Sequence, residues 1–319
     1  MRFLLTAVGT NNNSTVAKYL KETPDNYVVG TDIYPAEYIP ASFEIDKFYR
    51  VPSIYEMEDY KQSLLNICKK ERIDFLFPVI DEEVYFLAQN KHLFEAAGTT
   101  VCCSSAESVG ICRNKFKTFE TVKENLPEIY TKTSCLADVD ATKLSFPVFV
   151  KPSSGRASNG CKKINNKAEL DLYMTDIDAS EYIVQEYVEG EFFTVEFVND
   201  IKHNKFVSLV RQELVRNKNG CGVVVKTVKN EYLEDVTNRL INLIGFYGAG
   251  NCEYIFDKGK YYLIEINPRM SAGTDYSMRS GLNILENQIK IFSGQEIDID
   301  KNLKYDKIYA RRYETYELR

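Results

Sequence analysis

In the first hundred residues, short apolar runs of buried-strand type alternate with stretches of helical spacing. The runs are Phe3–Val8, Tyr27–Gly30 (closing at Asp32), Phe48–Val51 and Phe75–Val79. Between them, Ser14–Leu20 places Val16, Ala17 and Leu20 at helical intervals. Met57–Cys68 repeats apolar residues at 57, 60, 64, 65, 67 and 68, and Val84–Ala97 follows the last run. Buried strands separated by helices predict crossover connections and a parallel sheet. Such a sheet offers its ligand crevice at the carboxyl ends of the strands. Gly9 to Asn13, Asp32 and Asp81-Glu82-Glu83 stand there, which makes Asn11, Asp32, Asp81 and Glu82 candidate substrate contacts. Gly9-Thr10-Asn11-Asn12-Asn13 is not the G-x-G-x-x-G fingerprint, so a nicotinamide dehydrogenase is not the leading reading. The segment fits an ordinary tight turn as well as an anion-binding backbone.

Charge and composition remove several function classes. Lys and Arg number 40 against 46 Asp and Glu, a net charge of −6 over 319 residues. A duplex nucleic-acid binder needs a basic face, so nucleic acid is not an expected partner. No apolar run approaches the roughly 18 residues of a membrane span, and no membrane association is expected. The apolar start gives way at once to Thr10-Asn11-Asn12-Asn13, too early for a signal peptide, and a cytoplasmic location is expected. The eight cysteines include no CxxC pair, and His92 and His203 lack metal-ligand neighbours. Reduced, core-filling thiols are expected, and a Ser-His-Asp or Cys-His hydrolase is disfavoured.

Beyond residue 110 the pattern changes. Asn114–Lys123 reads as a polar helix with Phe116 and Phe119 inward. Phe146–Lys151 is a strand closing on a lysine, Ser153–Gly160 a loop of small turn formers, Cys161–Ile164 a strand and Ala168–Met174 a helix. Tyr182–Val228 has antiparallel character, with Asn199-Asp200 opening a turn and His203 at its tip. Tyr232–Ile244 reads as a helix, and Asn251–Phe256 and Tyr261–Ile266 as strands joined through Asp257-Lys258-Gly259-Lys260. Helical patterns follow, then Tyr309–Glu314 as a final edge strand. Cys102-Cys103 is placed in a short buried strand.

Glu265-Ile266-Asn267-Pro268-Arg269 is the sharpest chemical feature. Residues 265 and 267 of a strand share a face, so a carboxylate and a carboxamide can offer oxygens to one hard cation. Glu253 on the partner strand adds a third oxygen, a set suited to Mg2+ or Mn2+ with room for substrate phosphates. Arg269 then lies just beyond the metal, placed for phosphate. Taken alone, the same stretch is equally well a solvent-facing strand. Lys151 with the following loop, Ser154 and Gly155 included, fits a phosphate cradle. Gln185-Glu186-Tyr187-Val188-Glu189-Gly190 leaves the core with a backbone edge able to pair with an adenine rim.

In this order, after Asn114-Lys115, these segments resemble the ATP-grasp superfamily, and within it the carbamoyl-phosphate synthase large subunit and biotin carboxylase group. The resemblance covers most of the chain. It implies an α/β and α+β protein: an N-terminal parallel-sheet (Rossmann-like) domain over 1–104, then a two-lobed ATP-grasp fold over 105–319. The lid lobe falls at about 113–187 and the large lobe at about 188–319. It implies ATP and Mg2+ as cofactors. Lys115 and Lys151 would hold the phosphates, Gln185, Glu186, Tyr187 and Val188 the adenine, and Glu253, Glu265 and Asn267 the metal. Arg269, with Lys151 the expected catalytic pair, would contact the transferring phosphoryl group. Ser271 and Gly273 are further substrate candidates, and the loop 153–160, with Arg156 inside it, would be the lid. Asn114 stands where the family usually has an acid. Phe192 occupies the usual ribose-binding acidic position, so Glu191, one residue earlier, reaches the ribose only if the strand is bulged.

The chemistry so implied is phosphorylation of a carboxylate by ATP, followed by attack of an amine on the acyl phosphate. It needs positioning, charge neutralisation and water exclusion rather than a nucleophile–His pair. A stand-alone carboxylate–amine ligase with small-molecule substrates is the leading reading, with a homodimer through the first domain as the family-like arrangement. A bicarbonate-using carboxylase or carbamoyl-phosphate-synthase-like activity is the alternative, and a non-catalytic nucleotide-binding regulator the second.

Overall fold

Phe3, Leu4 and Leu5 have no solvent exposure because β1 (Arg2–Leu5) is the middle strand of the N-terminal sheet. The computed structural model describes residues 1–155, 159–299, 302–312, 315 and 317. With β2 (Tyr27–Asp32), β3 (Lys47–Arg50), β4 (Phe75–Phe77) and β5 (Thr100–Val101), β1 forms the order β3-β2-β1-β4-β5. Every pairing in it is parallel, as the alternation predicts. α1 (Asn11–Lys21) starts where the Thr10 hydroxyl accepts from the Asn13 amide, and α2 (Met57–Glu71) follows β3.

The single helix expected over 84–97 is two, α3 (Asp81–Gln89) and α4 (Lys91–Ala96). At the break, the Asn90 carboxamide donates to the Phe86 carbonyl and competes with the helical ladder. α3 also begins earlier than its apolar pattern, because Asp81, Glu82 and Glu83 are acids in a first turn, where the helix dipole favours them. Cys102 and Cys103 lie just past β5 rather than within it, and both are buried. All eight cysteines are free thiols. Among the described residues no helix is long and apolar enough to cross a membrane.

α5 (Ala106–Arg113) and α6 (Lys115–Asn125) lead into a four-stranded antiparallel sheet. Its strands β6 (Thr133–Cys135), β7 (Val148–Pro152), β8 (Lys162–Ile164) and β9 (Tyr182–Glu186) take the order β6-β9-β7-β8. α7 (Lys167–Met174) closes this lobe by packing Leu170 with Val148, Val150, Ile164 and Val184.

The antiparallel stretch expected from 182 onward divides at Tyr187–Gly190, where the chain passes to a second sheet. That sheet holds β10 (Glu191–Asp200), β11 (Lys205–Arg216), β12 (Gly222–Val228), β13 (Gly248–Asp257), β14 (Lys260–Asn267) and β15 (Ile308–Ala310). Its order is β14-β13-β10-β11-β12-β15. Gly190 makes the passage possible, since a Cβ there would stand 2.1 Å from the Phe256 carbonyl oxygen. β10 extends through Asp200, so the turn falls at 201–204 with His203 in it, its ring 2.7 Å from the Asp200 carboxylate. Of the expected tail strand, Tyr313 and Glu314 lie outside the described residues.

α8 (Glu231–Leu243) packs Leu233, Val236, Leu240 and Ile241 against Val195, Phe197 and Tyr254 of this sheet. α9 (Thr274–Arg279) and α10 (Ile284–Phe292) follow β14. Leu282, Ile284, Leu285 and Ile291 enter one core with Phe3, Leu5, Val16 and Leu20 of the N-terminal sheet. The segment after β14 is thereby pressed against the N-terminal region, and the Asn12 carboxamide donates to the Met270 carbonyl.

Candidate active site

A cleft of about 750 Å³ separates the four-stranded sheet from the six-stranded one. Lys115, Lys151, Gly155 and the segment 185–190 line one side; Glu253, Glu265, Asn267, Arg269, Ser271 and Gly273 line the other. The antiparallel register explains the second group. Glu253 stands directly opposite Glu265 across β13 and β14, and Asn251 opposite Asn267. The Asn267 carboxamide donates to Asn251 at 3.1 Å and to Glu265 at 3.2 Å, which fixes its plane.

Two facing carboxylates repel, and like charges opposite one another weaken a sheet. Burial first, and the Glu265 carboxylate second, push the Glu253 carboxyl up to about 8. A proton there does what a divalent cation would do better. Among the described residues no cluster of three or more His, Cys, Asp and Glu side chains is placed to hold a metal. The set here is two carboxylates and a carboxamide, which suits a hard cation completed by ligand oxygens.

The opposite wall is cationic. Lys151 ends β7, is 3% exposed and donates from Nζ to the Ile264 carbonyl at 3.0 Å. Burial, then the neighbouring Lys115, lower its ammonium to about 8. Lys115 opens α6, is also buried, and its Nζ donates to the Gly155 carbonyl at 3.3 Å. Asn114 explains itself at this point. Its side chain caps α6 by accepting from the Lys117 amide, and so fixes the residue that presents Lys115. Two buried lysines thus face two half-buried carboxylates across the cleft.

The ATP-grasp domain family matches residues 112–273, half of the chain, and a PylC-like N-terminal domain matches residues 3–102. The chain belongs to the ATP-grasp family.

It is 27% identical over 212 residues to the carbamoyl phosphate synthase large chain of Clostridium perfringens, covering 62% of this chain and 18% of that one. It spans 9% and 50% of the lengths of two further curated relatives. The biotin carboxylase of Campylobacter jejuni, solved with an ATP analogue, superimposes with a TM-score of 0.75 at 18% identity, over 96% of this chain and 74% of that one. An L-amino acid ligase from Bacillus licheniformis does so with a TM-score of 0.70 at 17% identity, over 91% and 74%.

The ATP-grasp cleft gathers most of the residues singled out in the sequence, and the exceptions have physical reasons. Glu191 is exposed and absent from the wall. β10 pairs with β13 in unbroken register through Glu191 and Phe192, so no bulge turns residue 191 inward. Phe192 faces the cleft instead. Ser154 is exposed beside Gly155 and does not line it, and Arg156 lies outside the described residues. Gln185 lines the cleft, but its amide is committed to the Thr133 hydroxyl at 2.7 Å, and the Glu186 carboxylate accepts from the Lys132 amide at 2.9 Å. Backbone is therefore what this segment leaves free toward the cleft, which Tyr187 and Val188 also line. Asn11 and Asp32 lie away from the cleft, and the Asp32 carboxylate accepts from the Gly9 and Tyr34 amides. Asp81 and Glu82 line a small adjoining hollow with Lys115 and Asn267. Asp81 grips Arg269 with both oxygens, at 2.8 and 3.2 Å, so the N-terminal region positions the arginine two residues after Asn267.

Sequence reasoning missed three residues. Glu196 and Arg211 form a fully buried ion pair, and Glu196 also accepts from the hydroxyls of Ser271, Thr274 and Ser277. Burial alone would raise the Glu196 carboxyl, but Arg211 and these hydroxyls outweigh it and hold it below its usual value. Gly273 closes over the pair, because a Cβ there would meet Arg211 at 2.6 Å. This knot sets the Ser271–Gly273 turn. Glu196→Gln is expected to lower stability by about 3 kcal/mol, as when one member of a buried pair is removed, read as a drop in thermal midpoint. The third residue, Arg216, sits in the polar run before Gly220, which reads in sequence as a plain turn.

Proposed function

We propose that the chain is an ATP-dependent carboxylate–amine ligase. The observation that carries the reading is the facing of Lys115 and Lys151 against Glu253, Glu265 and Asn267 across one cleft. The two lysines bind polyphosphate oxygens, Lys151 from a fixed strand and Lys115 from a capped helix start. The backbone at 186–190 receives the adenine edge. Glu253, Glu265 and Asn267 would hold Mg2+, which supplies charge neutralisation across the phosphates. Arg269, oriented by Asp81, faces the oxygens of the group transferred to the substrate carboxylate. The amine then displaces phosphate from the acyl phosphate within the same cleft, where the Glu196-anchored turn 271–273 orients it. No side-chain nucleophile is required, since positioning and charge suffice for this chemistry.

Phosphate release from ATP, screened over carboxylate and amine pairs with bicarbonate as a separate arm, tests the reading. Release that needs both a carboxylate and an amine is the expected result. Release supported by bicarbonate alone selects the carboxylase alternative, and nucleotide binding without release under any condition selects the regulator.

A further inference from the structure

Resting on the ligase reading above, we propose that Arg216 is a phosphate-binding residue held in reserve by the metal site. It holds Glu253 by a hydrogen bond while that site lacks its cation, and it transfers to the polyphosphate when Mg2+ takes the carboxylate.

Arg216 ends β11 and lines the cleft. Its Nη2 donates to Glu253 at 2.7 Å, the carboxylate that faces Glu265. Its Nε stands 2.8 Å from Glu213 Oε2 and donates to the Gly220 carbonyl at 2.8 Å. The guanidinium carbon Cζ lies over the Phe192 ring, 4.1 Å from its centroid. A cation held over an aromatic face keeps that contact while its N–H groups change partners. Glu213 Oε2 is buried yet has no aligned hydrogen-bond donor, so its contact with Arg216 is Coulombic and loosely directed.

Glu253 cannot serve a divalent cation and Arg216 equally at once. When a cation takes the Glu253 oxygens, their charge is spent on it, and the guanidinium loses its strongest partner. It is then a cation beside a second cation, a position that is tolerable only if an anion joins them. The polyphosphate that enters with the metal is that anion, and a guanidinium matches phosphate oxygens in a fork. Arg216 therefore opposes metal alone and favours metal with nucleotide. A residue that merely braced the turn would have neither effect.

The experiment is calorimetry on the whole chain with three probes, Mg2+ alone, ATP alone and Mg2+ with ATP, for wild type, Arg216→Met and Arg216→Lys. Arg216→Met should bind Mg2+ alone more tightly, by roughly three- to tenfold, because a competing cation has gone. The same protein should bind Mg·ATP more weakly, by about tenfold or more. ATP alone should change less than Mg·ATP. Arg216→Lys keeps the charge and should recover part of the Mg·ATP affinity, which separates the role from damage to the turn. In a Glu253→Gln background Arg216 is already released, so adding Arg216→Met should then weaken binding of ATP alone. Weaker Mg2+ binding in Arg216→Met, or Mg·ATP affinity unchanged within about twofold, overturns the proposal and leaves the ligase reading standing. A wild-type chain that binds neither Mg2+ nor ATP overturns both.

Discussion

Glu265→Ala is expected to reduce ATP turnover by about a thousandfold or more while the chain still folds. Glu265 contributes one of two carboxylates that face each other across β13 and β14. Without it the cleft keeps Glu253 and Asn267, too few oxygens to hold a divalent cation against water. The phosphates would then lack their main counter-charge in the transition state. The fold should tolerate the change, because Glu265 lies on the cleft face and, after burial itself, is the second cause that raises the facing Glu253 carboxyl. Removing it relieves the repulsive part of that shift while burial keeps its own, so the thermal midpoint should hold or rise. Calorimetry supplies the specific signature. In wild type, Mg2+ should sharpen binding of ADP, and in Glu265→Ala that enhancement should disappear. Asn267→Ala should act in the same direction, since its carboxamide is keyed to Glu265 and Asn251. Full turnover in purified Glu265→Ala would remove the metal assignment.

What could be read from sequence follows from range. The N-terminal sheet was legible because each buried strand announces itself over four or five residues and each helix by its own spacing. The candidate metal residues were legible in part: 265 and 267 share a strand face and a short hairpin returns the chain to Glu253, but a shift of register between Glu253 and Tyr254, which no sequence signal marks, is what sets Glu253 opposite Glu265. Glu196 and Arg211 were not, because their meaning depends on a turn at 271–277 that packs on them from a distant part of the chain. In sequence each is one polar residue in an alternating strand. Asp81 carried an acid signal without a partner, and only the packing of α9 and α10 on the N-terminal sheet brings Arg269 to it. Glu191 failed for a local reason. Period-two alternation already placed it on the wrong face, and the register confirms that face.

Lys151→Met should weaken nucleotide binding and stabilise the fold at once, and the two effects have one cause. Lys151 is buried, and burial followed by the charge of Lys115 brings its ammonium down to about 8 from an ordinary 10.5. Between those values the unfolded chain binds more protons than the folded one, so stability rises with pH across that window. Below about pH 8 the folded chain carries a desolvated cation, which weighs on stability by roughly 1–3 kcal/mol after its bond to the Ile264 carbonyl is counted. Methionine fills the same volume without the charge, so the thermal midpoint at pH 7 should rise. On the ligase reading, polyphosphate is the anion that the buried ammonium serves. Losing the ammonium should weaken ATP binding about ten- to a hundredfold and slow the chemistry by a further hundredfold or more, because developing charge on the phosphates loses a fixed cation. The pH dependence gives the assignment its own check. In the Glu253→Gln background, where that carboxyl no longer titrates, affinity for ADP without metal should fall as pH rises through 8, approaching tenfold per pH unit. The ammonium must recapture a proton before it can bind phosphate, so the fall tracks its deprotonation. With Lys151→Met added, the slope should vanish. A slope that survives the substitution, or a midpoint that drops with it, would make Lys151 a structural lysine and leave Lys115 as the phosphate anchor.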